Sequence, residues 1–330
     1  MKIRNILTSL FATVTAACAA AAEPDNMQQL CDKTLPAAMN EYNAESACAV
    51  VVSVTDGKVL ATTECATEGA IAPLRLHGRT RVGMLVQPII LSGALESGKV
   101  TVNNLISCAP LQITESMQLT DHPFNYGVLT CGQVIKKSSV PGTGRMIIIA
   151  GAEPLANQFT ALGLPWPASD SVPELFSIVT DSMATPMELV AAYTAIGREG
   201  KFAPIAANGE PSPSAENAMK PATATAVLQA LESCTEYRGA AGRGTALAAA
   251  IPGYRVACKT ATIHSQSDKK STDVGAVLML PADKPQLIVL VLMQNVKPNH
   301  VAPAGNSVAA PVAQQIAVQG IKLFNIAPTK

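Results

Sequence analysis

The rhythm of apolar positions changes along the chain. Near its start, residues 47–55 form a β-branched run, Asp56-Gly57 is a turn signal and residues 58–63 form a second run, so 47–63 reads as a hairpin. Residues 23–45, just before it, are polar and read as a short lead-in helix. From about residue 81 the period becomes helical. Residues 81–99 place apolar side chains at Met84, Leu85, Pro88, Ile89, Leu91 and Leu95, with Gly98 as the stop. Pro88 falls near the opening turn, where a missing N–H is tolerated. Further helices are expected over 128–138, 153–162, 186–198 and 221–234, with Pro141, Gly142 and Gly144 breaking the chain at 139–144 and a loop at 209–213. Then the pattern reverts to strands. Residues 254–262, 274–280 and 286–294 are three apolar, β-rich runs, the last two joined through Pro281-Ala282-Asp283. The closing stretch, 308–324, is apolar at Val308, Val312, Ile316 and Ile321, a helix able to cover a sheet face.

Strands from both ends and helices between them predict an α+β fold. One antiparallel sheet is built from both chain ends, flanked by helices, with a mostly helical subdomain inserted. The expected division of a single domain over 23–330 is a sheet subdomain at about 45–80 and 240–330 and a helical subdomain at about 81–239. A hydrophobic content of 48% over 330 residues supports a core of that size. No internal repeat or long low-complexity linker interrupts it.

Charge narrows the function. Lysine plus arginine equals aspartate plus glutamate at 24 each, there is no basic block, and aromatic residues are 4% of the chain, which argues against nucleic acid as a partner. Residues 1–22 read as an export signal: Lys2 and Arg4, a short apolar stretch from Ile6 to Val14, and Ala20-Ala21-Ala22 as a cleavage site. An exported, periplasmic protein without a membrane span after signal removal is expected, with lipid attachment at Cys18 as the alternative. Seven cysteines follow the signal (31, 48, 65, 108, 131, 234 and 258), and an oxidising compartment makes disulfides plausible, Cys258 with Cys234 among them. No metal is expected, because there is no C-x-x-C or H-E-x-x-H and the four histidines are scattered.

The most informative stretch is 254–262, where an apolar run ends in Lys259-Thr260-Ala261, one residue away from the Lys-Thr-Gly of serine acyl-transfer enzymes. Four other segments keep its company in order: AVVVSVTDGKVLA, PIILSGALESGKVT, MATPMELVAAYTAIGREGKFAPI and NSVAAPVAQQIA. Together with PGYRVACKTAT they resemble the transpeptidase domain of the penicillin-binding proteins, the class B or bifunctional kind that cross-links peptidoglycan, from about residue 45 to 328.

The resemblance implies three motifs. A serine starts a helix with a lysine one turn on, so that the amine takes the proton as the hydroxyl attacks the D-Ala–D-Ala carbonyl. An S-x-N motif adds a proton-shuttling hydroxyl and a substrate-holding amide. A Lys-Thr-Gly strand forms the facing wall. Aligned on Pro88, the serine position holds Met84 and the lysine position Gln87. The second motif becomes Ser138-Ser139-Val140, and the third keeps Lys259, Thr260 and Thr262 with Ala261 for glycine. A thioether forms no acyl ester and an amide is no base. Losing such a nucleophile costs on the order of 10⁶ in rate, about 8 kcal/mol of barrier.

The expectation is therefore a penicillin-binding-protein-like chain without catalysis and without a cofactor. Its catalytic positions are Met84, Gln87, Ser138 and Lys259, and its ligand-binding groups Ser138, Lys259, Thr260 and Thr262. A peptidoglycan stem peptide or a cell-wall synthesis protein would be its partner. Rival readings are an active transpeptidase or carboxypeptidase whose nucleophile lies elsewhere, Ser267 with Lys270 included, and a purely structural cell-wall assembly protein. Ser138 and Ser139 also read as the polar end of a helix, Lys259 as a surface lysine, Cys258 as a reactive thiol and Trp166 as a loop anchor.

Overall fold

The computed structural model describes residues 26–70, 72–167, 171–239, 242–264, 271–298 and 300–329. The signal-like segment, Cys18 and the pair Ser267 and Lys270 lie outside the described residues.

Five strands form the main sheet: β1 (Ser46–Ser53), β2 (Val59–Ala66), β3 (Ala257–His264), β4 (Thr272–Leu280) and β5 (Leu287–Val296). Their spatial order is β3-β4-β5-β1-β2, every pair antiparallel. The two chain ends meet where β1 lies in register against β5, Val50 opposite Leu290. β1 is buried along nearly its whole length, which explains why its sequence is a continuous apolar run rather than an alternating one. The hairpin turns at Gly57, whose φ of 78° is left-handed and suits glycine. This is the α+β fold expected from the pattern, an antiparallel sheet flanked by helices.

Two helices, α1 (Met27–Glu41) and α9 (Ala310–Leu323), pack on each other and cover one face of the sheet. On the opposite face lie α7 (Pro186–Gly197), against β1 and β5, and α8 (Pro221–Ser233), against β3. Behind them sits α2 (Gln87–Glu96), buried from Gln87 through Ala94 and packed on α8, on α4 (Val140–Ala150) and on α5 (Ala152–Ala161). A helix apolar on all sides is one enclosed by others, which is its position here. A tight 3₁₀ turn over Gly83–Val86 precedes α2, so the expected helix over 81–99 is two pieces.

Two sequence expectations in the middle of the chain are corrected. Residues 128–138 are not one helix: Val128–Thr130 is a short strand paired with Leu105–Ser107, and α3 (Cys131–Lys137) starts after it. Thr130 and Gln133 form a reciprocal cap at that start. Residues 139–144 are not a break. They open α4, with Ser139 as cap, donating its hydroxyl to Asp121 and accepting from the Gly142 N–H, and with Pro141 in the first turn. A further helix, α6 (Val172–Thr180), lies outside the helices that the sequence pattern predicts.

Candidate functional site

The site forms where three elements converge: the 3₁₀ turn ahead of α2, the junction between α3 and α4, and the edge strand β3. The 3₁₀ turn packs on β3 and on α6. Its approach to β3 is so close that a Cβ on Gly83 would stand 2.9 Å from Ile263 Cγ1, and Gly83 itself has a φ of 46°. Only glycine fits that contact. The turn is also tied to α7, since the buried Tyr193 hydroxyl donates to the Leu85 carbonyl at 2.7 Å.

Met84 lies within this turn, half-buried against the core. Gln87, one turn on, is fully buried as the first residue of α2. Its Nε2 faces three oxygens, Thr143 Oγ1 at 2.6 Å and the carbonyls of Val134 and Ser139 at 3.4 Å each. Among the described residues its Oε1 meets no donor. A primary amide has two N–H donors, whereas an ammonium has three. This pocket therefore offers more acceptors than glutamine can use and leaves the amide oxygen without a partner.

Ser138 caps the end of α3 in a left-handed conformation (φ 55°, ψ 38°). Such a backbone is uncommon for a residue with a side chain. Here it is held by amide hydrogen bonds on both sides of the junction, Ser138 N–H to Ile135 O and Ser139 N–H to Val134 O. Asp121 fixes the other half of the junction, accepting from the Ser139 hydroxyl at 2.6 Å and from the Val140 N–H at 2.8 Å. Burial pushes the Asp121 carboxyl above its usual range, opposed by those two hydrogen bonds. The serine thus sits on a rigid helix–helix corner, partly exposed.

Lys259 reaches this corner from β3. Its side chain is completely buried, and its Nζ donates to Ser138 Oγ at 2.7 Å and to the Thr260 carbonyl at 2.8 Å. Among the described residues no carboxylate is bonded to it. Burial lowers its pKa from the ordinary 10.5 to about 8. The reading of Lys259 as a surface lysine is thereby overturned: the edge strand turns it inward. Thr260 donates its hydroxyl to the Thr245 carbonyl at 3.2 Å, and the exposed Thr262 accepts at Oγ1 from the Gly305 N–H at 3.0 Å. Ala261 is buried, opposite Gly275 on β4.

The expected site residues Met84, Gln87, Ser138, Lys259, Thr260 and Thr262 thus lie on elements that pack together, and Ser138 with Lys259 bonds the helix junction to β3. Gln87 contributes to the far side, bonded to α4 and to the end of α3. The Cys258 thiol, fully buried on β3, is raised above its ordinary value by desolvation, and so is that of Cys234, to about 11. Both are free thiols and neither is an activated nucleophile. Trp166 packs edge-on against Phe159 with ring centroids 5.3 Å apart, an anchor for its loop. Among the described residues no group of three or more His, Cys, Asp or Glu side chains is placed to hold a metal ion.

The family model for the penicillin-binding protein transpeptidase domain matches residues 47–317. The chain belongs to that family. Its relatives include a probable peptidoglycan D,D-transpeptidase PbpC from Pseudomonas aeruginosa, 26% identical over 92% of this chain and 58% of the relative. They also include the peptidoglycan D,D-transpeptidase FtsI of Escherichia coli, 27% identical over 92% of this chain and 56% of that protein. This chain thus spans a little over half the length of these relatives. Among solved structures, the apo transpeptidase domain of Burkholderia pseudomallei penicillin-binding protein 3 superposes with a TM-score of 0.79 at 25% identity, over 92% of this chain and 96% of that one. No helix among the described residues is long and apolar enough to cross a membrane.

Proposed function

We propose that this chain is an exported member of the penicillin-binding protein transpeptidase family that does not perform acyl transfer at the tip of α2. It uses the cleft between that tip, Ser138 and β3 to bind a peptidoglycan stem peptide or a partner in cell-wall synthesis. One observation carries the reading: the turn entering α2 holds the thioether of Met84 and, three residues on, the neutral amide of Gln87 bonded to Thr143, the positions taken in this proposal as nucleophile and base. Neither group can give up or take a proton in an attack on a carbonyl. The absent step corresponds to about 8 kcal/mol of barrier. The binding side of the cleft is better preserved. The partly exposed Ser138, held by Lys259, and the exposed Thr262 give it polar groups, and the edge strand β3 offers backbone groups to an extended peptide, as in strand addition.

Residues 1–22 would act as the export signal and leave a periplasmic protein. The chain would divide into the sheet and helical subdomains expected from its sequence. Titration calorimetry with a peptide ending in D-Ala–D-Ala tests the binding half, and absence of heat at millimolar peptide removes it. Fluorescent penicillin tests the catalytic half: a covalent, heat-stable adduct formed within minutes at stoichiometric drug overturns it.

A further inference from the structure

At the junction of α3 and α4 a hydroxyl and an amine meet, those of Ser138 and Lys259. We propose that Ser138 and Lys259 form a nucleophile–base dyad in their own right, one that accepts an acyl group from a small activated acyl compound such as a thioester. The hydroxyl and amine are in direct contact at 2.7 Å. Lys259 is wholly enclosed and, among the described residues, bonded to no carboxylate, whereas Ser138 keeps part of its surface open to an incoming acyl group. The left-handed corner between α3 and α4 fixes the direction of the serine side chain. A hydroxyl held against a buried amine in this way is the arrangement in which an amine serves as base.

The step balances without a further reactant. Neutral Lys259 takes the Ser138 Oγ proton as Oγ bonds to the thioester carbonyl carbon. The C–S bond breaks, and the departing thiolate takes the proton from the Lys259 ammonium. The products are a thiol and a Ser138 ester. The α4 amides nearest the corner are already engaged, Val140 by Asp121 and Gly142 by Ser139. They give a developing oxyanion no donor, and lack of one such donor slows acyl transfer by about 10²–10³-fold. Acylation is therefore slow, and the ester, needing the same stabilisation to hydrolyse, is long-lived.

This chemistry is independent of peptide binding in the cleft and does not require the tip of α2. The experiment is incubation of the whole protein with phenyl thioacetate, with the adduct located by peptide mass spectrometry. The expected result is one acetyl group on Ser138. Its rate of appearance rises with pH through about 8, where the amine becomes neutral. Ser138→Ala abolishes the adduct, and Lys259→Met slows it by at least about 100-fold while circular dichroism confirms folding. No adduct after prolonged incubation in alkaline buffer, an adduct that survives Ser138→Ala, or a rate indifferent to Lys259→Met in a folded protein each overturns the dyad. Penicillin labelling of the Ser138→Ala variant, which lacks the dyad hydroxyl, and calorimetry read the proposed function separately, so either idea can fail alone.

Discussion

Replacing Met84 by serine and Gln87 by lysine together should restore acylation by penicillin. The two positions are three residues apart, on one side of the turn that enters α2, so a hydroxyl and an amine placed there share a face. The pocket around Gln87 already suits an ammonium. Thr143 Oγ1 and the carbonyls of Val134 and Ser139 surround Nε2 at 2.6, 3.4 and 3.4 Å, three acceptors for three N–H groups. Burial would also depress the new lysine, as it depresses Lys259 to about 8, leaving a useful fraction neutral. The gain available is the full nucleophile effect, on the order of 10⁶. Against it stand Val140, which withholds a polar contact worth about 1–3 kcal/mol, and the methyl of Ala261 on the facing wall. Taking about 3 kcal/mol for the two together, roughly 100-fold, leaves an increase of about 10⁴-fold over the natural chain. The assay is fluorescent-penicillin labelling followed on a denaturing gel, with thermal unfolding to confirm that the buried lysine is tolerated. Each single replacement should remain silent, because nucleophile and base act as a unit. A folded double variant with no labelling above the natural chain would refute the register that puts Met84 in the nucleophile position. Equal labelling of Met84→Ser alone would refute the role assigned to position 87.

Lys259 should make stability depend on pH in a defined direction. Below about 8 it is protonated folded and unfolded and its burial penalty is complete; between about 8 and 10.5 the folded chain has lost a proton that the unfolded chain keeps, so stability rises by roughly 3 kcal/mol across that window. Urea titrations of the protein and of Lys259→Met should diverge accordingly, the variant lacking the rise, and parallel curves would discard the buried-lysine assignment. Gln87→Leu should cost no more than about 1 kcal/mol, since Thr143 keeps its bond to the Ser139 carbonyl and the unpartnered Oε1 is removed; a loss of several kcal/mol in urea unfolding would mean that Oε1 has a donor after all. Gly83→Ala should destabilise by about 1–3 kcal/mol through its left-handed backbone and its clash with Ile263. Ile263→Ala should recover part of that loss in the double variant, and strict additivity would show that the two do not touch.

Sequence pattern disclosed the sheet because four of its five strands are separate apolar runs with their own boundaries, and β1 and β5 are buried along nearly their whole length. It failed at α4 for a definite reason. Pro141, Gly142 and Gly144 carry low helix propensity, yet proline is welcome in a first turn and the glycines are required by packing. A Cβ at Gly144 would lie 2.6 Å from Leu119 Cδ1, and one at Gly142 would lie 2.8 Å from Val134 Cγ2. Those contacts are tertiary and leave no local trace. The site divides in the same way. The residue types at Met84 and Gln87, a thioether and a neutral amide, are legible from the sequence alone. The acceptor pocket around Gln87 was not, since it is built from α3 and α4 rather than from α2.

The pairing of Ser138 with Lys259 joins residues 121 positions apart, and only the resemblance brought them together in advance. What the resemblance did not convey is the energetic character of that pair. A lysine enclosed with no carboxylate among the described residues weakens the fold at neutral pH, and an apolar side chain of similar length would hold β3 at least as well. The Ser138–Lys259 contact is thus poorly explained as a device for stability. Its physical meaning lies in what a hydroxyl beside a partly neutral amine can do or bind.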